Sequence, residues 1–309
     1  MPKWFPKAAS THDRPHSRIA GGLYGLLVGD ALGVPYEFHP PEQIPEPALI
    51  ELEPPRGFSR AHARVPAGTW SDDGAHALCL LASLLHRDAL DLEDLGRRLV
   101  NWYEFGYMAG DCEVFAVGVQ TAEALTNIRA GVPALQAGPA GEHANGNGSL
   151  MRVLPLVLWH RGEDAALACE MLQSRVTHGH MRAQVCCALY CLWARRSLEG
   201  AQDAWEKAVA LQSARNSSGP SGPTLGMAAG SYEQVVKAAI ALGHDTDTTA
   251  AVAGGVSGLR DRLDAIPERW RSALRGRELV EPLLQQLLAR GECSNGPVRD
   301  RGRLSHTRR

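Results

Sequence analysis

The sequence predicts an all-α protein, a single compact orthogonal helical bundle. Apolar residues recur at three- and four-residue spacing through most of the chain, as at Ala77, Leu80, Leu81, Leu84 and Leu85. That is the period of a helix with one buried face. Ala and Leu dominate these runs, and the β-branched alternation of a strand is almost absent. The chain has 309 residues, 44% of them hydrophobic, which is enough for one sizeable core.

Taken in order, residues 1–16 read as a flexible arm. They hold no apolar stretch of the kind a signal peptide needs. Residues 17–292 read as one domain. Its first helix starts near Ser17, runs through RIAGGLYGLLVGDALG and stops at Gly33, after which Pro35 turns the chain toward Glu37. Residues 39–68, rich in Pro, Arg and Glu, read as an irregular surface excursion. Helices follow at 73–87, 91–105, 114–130, 150–161, 163–175, 180–198, 201–213, 231–243, 247–262 and, with a break, 266–290. The stretches 131–149 and 214–230 are dense in Gly, Pro, Asn or Ser and read as loops. The tail 293–309 is basic and polar, and is expected to be disordered.

A formal net charge of −2, from 32 basic and 34 acidic side chains, gives no argument for nucleic acid or a membrane surface as partner. No uninterrupted apolar run looks long enough to cross a bilayer. The 7 cysteines form no CxxC pair. Reduced thiols in a cytoplasmic protein are expected, rather than a disulfide frame or a zinc site.

Two acidic clusters each open an apolar, Ala-rich run: Ser71-Asp72-Asp73 and Asp245-Thr246-Asp247-Thr248. One reading is helix capping, because Ser, Thr and Asp oxygens accept hydrogen bonds from the free amides of a first turn. The other is a shared oxygen-rich site for a hard divalent cation. One helix needs one cap, and the second cluster offers four oxygen side chains in a row. Asp245 and Asp247 would not share a helical face, but a turn ahead of the helix could converge them. Trp70, just before the first cluster, could wall it from water.

NGNGSLMRVLPL, from Asn145, sets Asn and Gly before a helix start, with Ser149 as N-cap. It reads either as a plain loop and cap or as an anion seat for phosphate. Arg152 in its first turn is either a surface charge or a phosphate partner. His178 and His180, two apart, cannot form a metal pair on one helix face, though either could bond a ligand or a carboxylate. His244 is a loop residue or a donor that orients a neighbouring carboxylate.

Read together, GLLVGDALGVPYEF, GTWSDDGAHAL, NGNGSLMRVLPL, SRVTHGHMRA, GHDTDTTAAVAGG and AIPERW resemble the ADP-ribosylglycohydrolases, in this order and over residues 17–290. The resemblance implies an all-α fold with two divalent cations, Mg²⁺ or Mn²⁺, held by Ser71, Asp72, Asp73, Asp245, Asp247 and Thr248. It implies catalytic roles for Glu37, Asp72 and Asp73, and a substrate cleft lined by Asn147, Gly148, Ser149, Met151 and His178. The implied reaction is hydrolysis of the C1″ bond between ADP-ribose and an acceptor, on a protein or on a small-molecule conjugate. Two departures stand against it. Ala116, in the run Phe115 to Thr121, takes the place of an Asp with a catalytic role. Residues 214–230 look shortened on the adenosine side. The alternatives are a non-catalytic ADP-ribose-binding or structural protein, and a metal phosphohydrolase acting on the pyrophosphate.

Overall fold

A computed structural model describes residues 14–160, 171–206, 208 and 230–293. The described residues are helical with no strand, as the sequence predicts. In chain order the α-helices are α1 (Arg14–Gly33), α2 (Asp72–Arg87), α3 (Leu92–Phe105), α4 (Val119–Arg129), α5 (Ala134–Ala137), α6 (Leu154–Trp159), α7 (Met181–Leu198), α8 (Tyr232–Ile240), α9 (Thr246–Asp261), α10 (Glu268–Ala273) and α11 (Arg277–Cys293). Residues 171–174 and 204–206 are also helical. Most of the expected helices at 163–175 and 201–213, most of the arm, nearly all of the 214–230 loop and the tail after Cys293 lie outside the described residues.

The centre of the bundle is the pair α1 and α9, packed antiparallel, backbone against backbone. A Cβ added at Gly21 would lie 2.3 Å from Gly258 O, at Gly25 2.3 Å from Gly254 O, at Gly29 2.2 Å from Ala250 O and at Gly33 2.4 Å from Thr246 O. Each pair moves one turn up α1 and one turn down α9. Glycine at every fourth position leaves a flat stripe on α1, and only a flat stripe permits this approach. Leu23, Leu26, Leu27 and Leu32 on the other faces of α1 are fully buried. Helix α1 with its flanks, Pro15–Tyr36, does match a membrane span by length and composition, contrary to the sequence expectation; 94% of that apolar window is buried by the rest of the protein. It is the core helix.

The seam decides what meets at its end. The C-terminus of α1 abuts the N-terminus of α9, where Thr246 Oγ1 donates to Gly33 O at 2.8 Å. The chain beyond Gly33 is tied to the same point: Phe38 N donates to His244 O at 2.7 Å, and His244 N to His39 O at 2.6 Å. His244 is thus a backbone tie between two loops.

Several boundaries differ from the sequence reading. Helix α1 begins three residues before Ser17. Helix α4 begins at Val119, not 114, because Ala116 takes a left-handed φ of 56° that breaks a right-handed helix. Helix α6 begins at Leu154, not 150, with Pro155 in its first turn. The break in 266–290 falls between Ala273 and Arg277, where Gly276 has φ 77° and its α-carbon leaves room for Trp70. Residues 39–68 are irregular as expected, but they are more than surface: Ile50 is fully buried and His62 reaches the site described next.

Candidate active site

The first turn of α2 is satisfied without Asp72 or Asp73. Ser71 Oγ accepts from Asp73 N at 3.3 Å. Asp30, from α1 and fully buried, accepts from Ser71 N at 2.9 Å and from Gly74 N at 2.7 Å. Capping therefore accounts for Ser71 and leaves the carboxylates of Asp72 and Asp73 for other work. On α9, Asp245 occupies the N-cap position, yet its side chain makes no capping bond.

Asp72, Asp73 and Asp247 converge. All three are buried, and each offers a carboxylate oxygen within 4.8 Å of the others. Thr248 Oγ1 donates to Asp73 Oδ2 at 3.1 Å, and Ser71 Oγ donates to the same oxygen at 3.3 Å. Asp73 Oδ1 is buried with no partner. Burial raises the carboxyls of Asp72, Asp73 and Asp247 well above the usual range, and mutual repulsion, together with the charges of Asp30, Glu37 and Asp245, adds to the rise. Burial likewise lifts Asp30 to about 7, against the bonds from Ser71 and Gly74 that favour its charge. No ion pair among the described residues reaches Asp30, Asp72, Asp73 or Asp247. Several carboxylates this close cannot all ionise without a countercharge. An all-oxygen donor set, a buried orphan oxygen and no ion-paired side chain among the described residues suit hard divalent cations. Asp245 stands apart at the exposed rim, where it accepts from Asn147 Nδ2 at 2.5 Å.

Above this floor lies a cleft of about 320 Å³, within the usual size of small-molecule sites. Asp72, Asp247 and Thr248 form its base. Its sides are lined by Gly146, Asn147, Gly148, Met151 and His178, by Glu37, and by Ala116 and Gly118 to Thr121, with Gln120 bonded to the Gly146 amide. His178 is nearly buried, and burial with the charge of Arg152 lowers its pKa to about 3, so it is neutral. Its Nδ1 lies 2.8 Å from Thr177 Oγ1, and Arg152 donates to that hydroxyl at 2.7 Å. Arginine can only donate. With Thr177 fully buried, its own proton has His178 Nδ1 as the acceptor at hand. The ring proton of His178 then sits on Nε2, facing the loop of Gly146 and Gly148. A Cβ at Gly148 would lie 2.7 Å from His178 Cε1, which explains glycine at that position.

Of the residues expected here, Asn147, Gly148, Met151 and His178 line the cleft beside Glu37 and Asp72. Ser149 does not. It is fully buried, and its hydroxyl bonds Ser174 Oγ at 2.8 Å. It caps no helix either, because α6 starts further on. The amides of Gly146, Leu150 and Met151 are already bonded, to Gln120 Oε1 and twice to Asn147 O. Arg152 is neither a surface charge nor a phosphate partner. It is fully buried and bonds Gln173, Thr177 and Gly148 O, bracing the wall from behind. His180 accepts from Arg182 N as the N-cap of α7. Trp70 is buried and donates to Met108 O.

Sequence reasoning missed Asp30, Gln120, Thr121 and His62. Asp30 left one signal, a carboxylate inside an otherwise apolar helix. His62 left none. Its Nε2 lies 2.5 Å from Glu37 Oε2, across a loop without periodicity.

The sequence profile of the ADP-ribosylglycohydrolase family matches residues 11–296. The ADP-ribosylarginine hydrolase Tri1 of Pseudomonas putida is 27% identical, over 94% of this chain and 83% of its own. The ADP-ribosyl-[dinitrogen reductase] glycohydrolase of Rhodospirillum rubrum is 26% identical, over 84% of this chain and 90% of its own. A solved structure described as an ADP-ribosylglycohydrolase-related protein complex superimposes with a TM-score of 0.73 at 31% identity, covering 90% of this chain and 99% of that one. With its helical fold, its acidic cluster and a profile match across nearly the whole sequence, the chain belongs to the ADP-ribosylglycohydrolase family, hydrolases of linkages to ADP-ribose.

Proposed function

We propose that this chain is a metal-dependent hydrolase that cleaves the C1″ bond between ADP-ribose and an acceptor on a protein or a small-molecule conjugate, with two Mg²⁺ or Mn²⁺ ions as cofactors. The observation that carries the reading is the convergence of buried Asp72, Asp73 and Asp247 beneath the cleft, with no ion pair to any of them among the described residues. Thr248 and Ser71 supply hydroxyl oxygens at the same point, and Asp245 lines the same cleft at its rim. When bound, the cations supply Lewis-acid polarisation and make water a stronger nucleophile near neutral pH.

The chain's own residues do the rest. Glu37, on the cleft wall, is the carboxylate that takes a proton from the attacking water and stabilises positive charge developing at the anomeric carbon. The water oxygen bonds to C1″, and the bond from C1″ to the acceptor breaks. The electron pair leaves with the acceptor, which takes up a proton. His178 presents a neutral Nε2–H to an acceptor oxygen of the ligand, and Asn147, Gly148 and Met151 shape the wall it lies against. Glycine at 148 leaves room for the His178 ring in this lining.

The test is release of ADP-ribose from an ADP-ribosylated arginine peptide, alongside calorimetry with free ADP-ribose, each with and without Mn²⁺ or Mg²⁺. We expect binding and metal-dependent release, and loss of metal on Asp247→Ala. Full metal occupancy in Asp247→Ala, or neither binding nor release by the wild type, would sink the reading. Ala116 favours one second reading, a non-catalytic ADP-ribose-binding protein, because it lines the cleft and offers no carboxylate there. Tight binding without release under every metal condition would select it.

A further inference from the structure

We propose that His62 is the positioning residue for Glu37: it holds one oxygen of that carboxylate so that the side chain stays at the cleft instead of swinging to solvent. The inference rests on the functional reading above for its consequence, but not for the bond itself. Glu37 is 8% exposed and shares the cleft with the buried carboxylates of Asp72 and Asp247, which it repels. Like charges push a carboxylate away from such neighbours. Its one side-chain hydrogen-bond partner among the described residues is His62, whose Nε2 lies 2.5 Å from Oε2. An ionised carboxylate only accepts, so His62 donates from Nε2.

The placement of His62 is over-determined. Its ring stands between Phe115 at 5.0 Å and Phe38 at 5.5 Å, centroid to centroid. Its backbone has a left-handed φ of 49°, and Phe38 (φ 67°) and Ala116 (φ 56°) share that unfavourable region at the same mouth. Each such residue costs about 1–3 kcal/mol and persists only where its surroundings enforce it. Here they do: Ala61 N donates to Pro35 O at 2.9 Å and Val65 N to His62 O at 2.8 Å, which pins the His62 turn to the Glu37 turn. The hydrogen bond to Glu37, the two ring contacts and the tie between the two turns together fix the imidazole against this one carboxylate. His62 is not among the residues that line the cleft, and its side-chain hydrogen bond is to Glu37, so its action runs through Glu37.

Two measurements test this. In protein labelled with ¹⁵N-histidine, the Nε2 proton of His62 should resonate far downfield, as a proton shared with a carboxylate does. It should move upfield or vanish in Glu37→Ala while the signals of the other histidines stay in place. No change at His62 would overturn the pairing whether or not the enzyme is active. In the ADP-ribose release assay, His62→Leu should lower kcat about 10- to 100-fold with KM altered less than about 3-fold, the loss of one charge-assisted hydrogen bond. His62→Gln, which keeps an N–H donor, should return to within about 3-fold of wild type. Equal loss in both variants, or no loss in His62→Leu, would overturn the positioning role. A wild type without release would refute the hydrolase reading, and the proton resonance would still decide the bond.

Discussion

Gly25→Ala tests the seam on which the site depends. A methyl at Gly25 would sit 2.3 Å from Gly254 O and 3.1 Å from Gly254 C. A carbon beside a carbonyl oxygen needs about 3.3 Å, so α1 and α9 must part by about 1 Å at that level. Nothing flexible can yield, because the obstacle is backbone. Replacing glycine by alanine inside a helix would otherwise add about 1 kcal/mol. Overpacking costs about 1–3 kcal/mol, and a rigid backbone neighbour puts this case at or beyond the top of that range. The expected net loss is about 2 kcal/mol, or a Tm lower by about 4–8 °C. The site lies two turns away at the Gly33–Thr246 end, so the same displacement should loosen the approach of Asp30 and Glu37 to α9 and weaken Mn²⁺ binding. Differential scanning calorimetry and metal titration read both effects. Gly141→Ala is the control, since a Cβ there meets nothing within 4 Å. A Tm for Gly25→Ala at or above that of wild type would refute the backbone-to-backbone packing.

Without metal, the protein should lose stability as pH rises from about 4 to beyond 7. A carboxyl whose folded pKa is raised contributes fully below its unfolded pKa and loses that contribution as pH climbs through the folded one; Asp30, at about 7, and Asp72, Asp73 and Asp247 all shift this way. Melting curves of EDTA-treated protein across that range check it, and Mn²⁺ should restore most of the loss at neutral pH. Asp73→Asn should melt higher than wild type when metal-free and bind Mn²⁺ at least about 10-fold more weakly; unchanged metal affinity would contradict the placement of Asp73 in the cation site. Thr177→Val removes the hydroxyl that sets the His178 tautomer, and should weaken ADP-ribose binding about 10-fold in calorimetry, the value of one hydrogen bond. Ala116→Asp should raise ADP-ribose release with little change in Tm, because Asp tolerates the left-handed φ of 56° at this position better than Ala does; no gain at constant metal content would argue against a catalytic role for a carboxylate there.

What was legible in the sequence was whatever local pattern encodes. Helical period reveals α2, α3, α7 and α9 to within a residue or two, because their apolar stripes recur every three to four residues. Short α6 and the late start of α4 were misread, since a positive φ at Ala116 and a proline at 155 leave no trace in hydrophobic spacing. The two acidic clusters stood out as more than caps because one helix end cannot use four oxygen side chains. That Asp30 performs much of the capping could not be read, since its partners lie about forty residues away on another helix.

The sequence by itself determined the all-α class, the family resemblance and most of the cleft's lining. Only the tertiary structure decided which oxygens meet. The glycine stripe of α1 lets its backbone touch α9, and that contact brings Gly33, Asp30 and Glu37 to the mouth that holds Asp247. It also turned Ser149 and Arg152 inward and carried His62 across an aperiodic loop to Glu37. Periodicity reports which face of a helix is buried. It carries no information about which buried face will lie against which, and the site is built from those encounters.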